Sequence, residues 1–494
     1  MIIASGDEKW GIVENNYMKA CKIQYRNLSV REPVDRLATL ALVSIALVFT
    51  IAGCITPAAP ANQLPTRVEP AIQSVAFITP DTTGEDASAE ANPVVVMTPG
   101  YAPAVFGSPF DPTPTPTAIP SPMPAPTLDA PLPPPTVVVA VPPIDFAAAQ
   151  ATAEAQGLDI AYTKIGFHTG PGGNAQGLGD YLRKLNDAGV PFFLKSADAA
   201  GPIYEAQQLM KANEAAGREV PHTLVFRLTD GRYEAPFYNL SLSPEEAAAV
   251  SWQLNRDDMP SELEKEYVWL ETLNEPGRYG DTGELQIERL GRFSLATARL
   301  AVAEGYRYGA LAFSTGVPEP EDWEHPAMLE FLRYAGEHPD QVAVALHEYS
   351  LVSEFIGNGY PYLVGRFQAL FNVCDKYGIP RPTILITEWG WEYDNVPEPI
   401  PALEDIAWAS WLYAAYPQVK GAAIWYLGPQ FGGIANQAQL LIAPLADYAV
   451  SHYFIIDPGM GRIDAELFRP NPPTLLGPEL SNPPTPFPRP RYMP

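Results

Sequence analysis

Eight short runs of β-branched and aromatic residues punctuate the middle of the chain: 162–167, 191–196, 223–228, 267–273, 308–314, 342–347, 383–388 and 421–427. They recur every ~30–45 residues, the spacing of strand–helix units with their loops. Helix-like segments fill the intervals. Residues 179–185 alternate apolar and polar positions at helical spacing. Residues 244–254 open behind Ser243, a natural N-cap. In 285–304, Leu290, Phe293, Ala296 and Leu300 share one face. Eight alternations predict an α/β fold of the closed (β/α)8 type, a TIM barrel. An open doubly wound sheet is the alternative. It would place a phosphate-binding glycine turn after the first strand. Gly170-Pro171-Gly172-Gly173-Asn174 follows that strand, but its spacing fits neither a dinucleotide nor a P-loop fingerprint.

Outside the middle the pattern fails. The chain has 494 residues and 55 prolines, most of them beyond the alternating region. Residues 54–143 read as a Pro-rich spacer, because proline fixes φ and has no N–H to donate to a ladder. Residues 457–494 read the same way, disordered or laid along the barrel, which leaves 144–456 as the folded domain. Before the spacer, residues 37–53 form an apolar run behind Arg31 and Arg36. It is short for a membrane span and suits a signal-peptide core. It ends Ile51-Ala52-Gly53-Cys54, which resembles a bacterial lipobox. That resemblance implies a signal segment 1–53, lipid on Cys54 and an extracytoplasmic, membrane-anchored protein. An uncleaved anchor helix is the alternative. Met18, followed by Lys19, Lys22 and Arg26, competes with Met1 as the start.

The formal net charge of −26, with no basic block interleaved with aromatics, argues against a nucleic-acid partner. Three cysteines, Cys21, Cys54 and Cys374, are too few and too scattered for a disulfide framework or a zinc site. Cys374 reads as a small buried apolar residue. Six histidines without a His-x-His after the first strand argue against a metal-dependent barrel hydrolase. Neither a metal nor another cofactor is expected. Lys164 and Lys195 fit a Schiff-base aldolase by position only. A monomer is expected.

In a barrel, chemistry collects at the C-terminal ends of the strands. The fourth run leads into Asn274-Glu275-Pro276. The sixth ends His347-Glu348-Tyr349, and the seventh Glu388-Trp389-Gly390-Trp391. The eighth carries Trp425 and Tyr426. On these residues the chain resembles the clan A retaining glycoside hydrolases, the superfamily of the family 5 cellulases and mannanases. The resemblance implies that Glu275 is the acid/base and Glu388 the nucleophile. By the same resemblance Asn274 contacts the sugar 2-hydroxyl, His347 and Tyr349 support the nucleophile and substrate, and Trp425 forms a sugar platform. The pattern departs in two places. No arginine stands on the first two strands, where Lys195 is the nearest cation, and Arg227 replaces an expected histidine after the third.

Two carboxyl groups suffice for glycoside hydrolysis: one protonates the leaving oxygen, the other attacks. Glu275 is expected to have a raised pKa through partial burial beside a second carboxylate. Trp389, Trp391, Tyr393, Trp425 and Tyr426 cluster in sequence near the mouth and offer ring faces to sugar C–H groups. His168, ending the first strand, is a candidate subsite residue. Glu348, out of phase with its neighbours, should face the barrel wall or solvent, and Glu271 is open between inward packing and solvent. The partner class is therefore carbohydrate. A non-catalytic carbohydrate-binding lipoprotein on the same barrel is the rival function.

Overall fold

A computed structural model describes residues 132–276, 285–459 and Phe468. The apolar run 37–53, Cys54, Met18, the spacer before Leu132 and the tail apart from Phe468 lie outside the described residues. No described helix is long and apolar enough to cross a membrane.

Eight parallel strands close into a barrel: β3 (Ile165–Thr169), β4 (Phe193–Ala197), β5 (Thr223–Arg227), β6 (Val268–Glu271), β7 (Arg307–Phe313), β8 (Val342–Tyr349), β9 (Thr383–Gly390) and β10 (Val419–Ile424). β10 pairs with β3 to complete the ring. Each strand corresponds to one of the eight apolar runs, so the (β/α)8 fold is established. The helix Pro244–Asp257 opens with a reciprocal cap, Ser243 and Glu246 each accepting the other's backbone N–H.

The barrel interior is a separate small core of Phe193, Val225, Trp269, Ala343, Leu385 and Ala423. Two aromatic rings fit there because glycines stand opposite. A Cβ on Gly421 would lie 2.5 Å from the Phe193 ring, and one on Gly166 would lie 1.8 Å from the Phe193 carbonyl oxygen. Gly166→Ala is therefore expected to lower unfolding free energy by at least about 1–3 kcal/mol. Gly309→Ala, whose Cβ would meet nothing closer than 3.5 Å, should change it far less. Urea unfolding of both variants checks this.

Three further strands lie outside the barrel. β1 (Thr136–Val139) pairs antiparallel with β11 (His452–Ile456), which pairs antiparallel with β2 (Asp159–Ala161). β2 runs into the start of β3 within a few residues, which places this small sheet at the end of the barrel opposite the strand C-termini. The described fold thus includes residues of the stretch read as spacer. Val137 and Leu132 pack on the core, and the Trp411 indole donates to the Pro135 carbonyl at 2.7 Å. Beyond the domain limit read at 456, Phe468 is fully buried against Trp411 and Tyr360.

Candidate active site

Strand alternation delivers a layer of titratable side chains to the mouth. His168, Lys195, Arg227, Glu271, His347 and Glu388 come from six different strands or their ends, and all are buried. Register sets the neighbours: His168 lies beside Lys195, Arg227 beside Glu271, and His347 beside Glu388.

Two irregularities aim the carboxylates. The β8–β9 register shifts between Leu346 and His347, so that His347 pairs with Glu388. On β7 the register shifts between Ala310 and Phe313, with Leu311 and Ala312 at φ 80° and 43°. The Ala312 carbonyl then accepts the Glu275 N–H at 2.9 Å. Glu275 itself sits at φ 45°, a conformation non-glycine residues adopt where surrounding structure holds them.

Around Glu388, the Tyr349 hydroxyl donates to Oε2 at 2.9 Å, and His347 Nδ1 lies 3.4 Å from the same oxygen. Lys195 Nζ lies 3.7 Å from Oε1. Burial, then the charges of Glu388 and Glu275, hold the Tyr349 phenol well above its ordinary range, so it remains a donor. His347 Nδ1 also lies 3.0 Å from Glu275 Oε1. It bridges the two carboxylates, and one oxygen of each lies within 4.8 Å of the other and of Nδ1.

These three groups are also the one set of described residues spaced to share a metal ion. Lys195 on one side and Arg227 in the same layer already supply positive charge, which disfavours a divalent cation.

Glu275 corrects one expectation. Burial does push its carboxyl up, but the hydrogen bond and charge of His347, with Ser314 and Arg227, outweigh it, and the pKa falls below the usual carboxylate value. The nearby carboxylate is overruled by a donor placed between the two.

The structure brings Asn274, Glu275, His347, Tyr349 and Glu388 together, and leaves Trp425 partly exposed beside them. It does not bring three other candidates to the cleft. Trp389 and Trp391 are 0% and 1% exposed. They stand one and three positions after Glu388 and so face the opposite side of the strand, towards the helices. The Trp391 indole donates to Asp405 at 2.5 Å on the helix Pro399–Ala414. His168 is sealed beneath the Trp425 and Tyr426 rings, centroids 4.9 and 5.2 Å away. Burial, then Lys195, Arg227 and His347, push its pKa well down, so the ring is neutral.

Glu348, read as facing away from the site, is buried behind the strand. It accepts from Gly365 N, Arg366 N and the Tyr413 hydroxyl, fixing the loop after β8.

Residues given no catalytic role in the sequence reading also stand in the site. Lys195 Nζ donates to Glu271 Oε1 at 2.6 Å, and Arg227 lies 3.7 Å from that same oxygen. Arg227 also donates to the Asn274 carbonyl oxygen. The available aromatic surface comes from Trp425, Phe431 and Tyr393. Phe431 meets Tyr393 and Trp425 edge-on at 5.0 and 5.2 Å, and Tyr393 is 52% exposed. Its phenol is pushed up by burial and by the charges of Glu275 and Glu388, which places it within their field. Tyr393 has the same parity as Trp391 but lies beyond the strand end at Gly390, so only its place in the aromatic cluster near the mouth marked it.

No protein-family model matches the chain, and no curated protein matches it. Among solved structures, a broad-specificity GH5-4 endoglucanase from an uncultured bacterium is similar over 60% of this chain and 94% of its own, with TM-score 0.33 and 11% identity. A tri-modular GH5 subfamily 4 endo-β-1,4-glucanase from Bacillus licheniformis is similar over 59% of each chain, with TM-score 0.34 and 12% identity. An aldolase from Escherichia coli K12 is similar over 62% of this chain and 94% of its own, with TM-score 0.27 and 10% identity.

Proposed function

We propose that the protein hydrolyses β-glycosidic bonds with retention, Glu388 attacking the anomeric carbon and Glu275 serving as acid and then base. The observation that carries this reading is the closeness of the two carboxylates, one oxygen of each lying within 4.8 Å of the other. Retaining enzymes hold the pair roughly 5–5.5 Å apart, whereas inverting ones leave roughly 6.5–9.5 Å for a water. The two carboxylates differ in burial and partners. Glu388 is buried, with Tyr349 donating and Lys195 close by, as suits an ionised nucleophile. Glu275 is the more exposed, its side chain 31% accessible, as suits a group that meets both leaving group and water. Tyr393, Phe431 and Trp425 offer the rings on which a sugar packs.

In this reading the chain is exported and held at a membrane through Cys54, with its mouth presented to an external glycan. The direct test is hydrolysis of β-glucans, mannans, xylans and aryl β-glycosides, with the product anomer followed by NMR. Initial appearance of the β-anomer is expected; initial α-anomer excludes the double displacement.

A second expectation concerns pH. The alkaline limb of kcat/KM reports the acid of the free enzyme. His347 lowers the pKa of Glu275, so protonated Glu275 is lost early as pH rises, and the limb should lie on the acidic side. His347→Phe removes that donor, lets burial dominate, and should move the limb to higher pH while lowering the maximum. An unmoved limb in the pH–rate profile contradicts the role given to His347.

A further inference from the structure

The layer beneath the mouth contains two cations, Lys195 and Arg227, pinned to one oxygen of one carboxylate, Glu271 Oε1. Glu271 is fully buried. From that shared anchor Lys195 faces Glu388, while Arg227 reaches Asn274. The second arm has a chemical consequence. A guanidinium has five N–H donors and no acceptor. An asparagine amide beside it can present only its oxygen. The Asn274 carbonyl is therefore turned to Arg227, and its NH₂ group is turned the other way.

We propose that Arg227 is a positioning residue that fixes the Asn274 amide with its donors towards the substrate, so that the site selects sugars carrying an oxygen acceptor next to the anomeric centre. This rests on the hydrolase reading above. A 2-hydroxyl offers that acceptor. A 2-deoxy sugar does not, and a protonated 2-amino sugar offers only donors and a positive charge facing Arg227. With Arg227 removed, the amide is free to turn over, and a partner that accepts is no longer favoured over one that donates.

The test uses aryl β-glycosides that differ only at C2 (hydroxyl, deoxy and amino), with the wild type, Arg227→Met and Arg227→Lys. Wild type is expected to turn over the 2-hydroxy substrate at least about tenfold faster than the 2-deoxy one, the difference lying in kcat rather than KM, since one hydrogen bond to a buried site is worth that much or more. Arg227→Met should lower kcat for the 2-hydroxy substrate more than for the 2-deoxy one, so that the ratio between the two falls to about threefold or less. Arg227→Lys, which keeps a donor, should restore part of the gap. A uniform loss on all three substrates would make Arg227 merely structural and overturn the proposal.

A second measurement does not depend on hydrolysis. Unfolding of Arg227→Met, Asn274→Ala and the double variant should show the pair coupled by about tenfold in the unfolding equilibrium constant. Independent losses overturn the inference whatever the activity. Coupled losses in a wild type that cleaves none of the glycosides overturn the hydrolase reading and leave the pair itself established.

Discussion

Glu388→Gln should all but abolish turnover, lowering kcat by at least about 10⁴-fold, as loss of a covalent nucleophile does. Glutamine fills the same volume, and its carbonyl still accepts from Tyr349, so stability should change by no more than about 1 kcal/mol. The loss is then chemical rather than structural. Glu388→Gly should be inactive in water but rescued by azide, which enters from the face that the carboxylate occupied and gives a glycosyl azide of inverted configuration. Circular dichroism, unfolding and NMR of the azide product separate the cases. If Glu388→Gln keeps a tenth of wild-type activity, attack comes from elsewhere. If it keeps all of it on every glycan, the barrel does not act through these two carboxylates, and the carbohydrate-binding rival gains.

Lys195→Met should have the largest effect on stability, about 3–5 kcal/mol, because it strips a fully buried carboxylate of its closest partner. Glu271 would retain Arg227, 3.7 Å away, in place of a direct hydrogen bond. Turnover should fall as well, since the charged form of Glu388 loses the cation facing Oε1. The double variant Lys195→Met, Glu271→Gln separates the two effects. Removing the orphaned charge should recover most of the stability, while activity stays low because nothing replaces the ammonium beside Glu388. Urea unfolding and steady-state rates together decide. If the double variant regains activity with stability, Lys195 serves the fold alone.

Local pattern made the barrel legible. Each strand carries a short run rich in apolar residues, almost wholly buried on both faces as parallel strands are, and the glutamates stand where two of those runs end. The small outer sheet was not legible for the opposite reason. Val137 and Val138 belong to a short β-branched run, but it sits among prolines and its partners Phe454 and Tyr453 lie far along the chain, so no neighbouring strand or turn marks what Thr136–Val139 pairs with.

Within the site, single residues were readable and pairings were not. Lys195 and Arg227 stood out as departures from the resemblance, yet only strand register shows that both converge on Glu271. Trp389 and Trp391 were misplaced because tryptophan near a mouth suggests a platform. Their parity relative to Glu388, had it been weighed as it was for Glu348, turns both rings towards the helices. The sign of the Glu275 shift depended on a contact between residues 72 positions apart, which no sequence window contains.

The antiparallel pair β1–β11 lies at the end of the barrel away from the carboxylates. Any tension arriving along the chain ahead of Leu132 meets the Leu132 packing and the Pro135 carbonyl held by Trp411, and then the ladder from Thr136–Ile455 to Val139–His452. That ladder joins the first described strand to the last, so the load passes between the two ends of the domain and bypasses the catalytic rim. Were the chain tethered through Cys54 as proposed, a pull from that side would reach the outer sheet before the strands that carry Glu275 and Glu388.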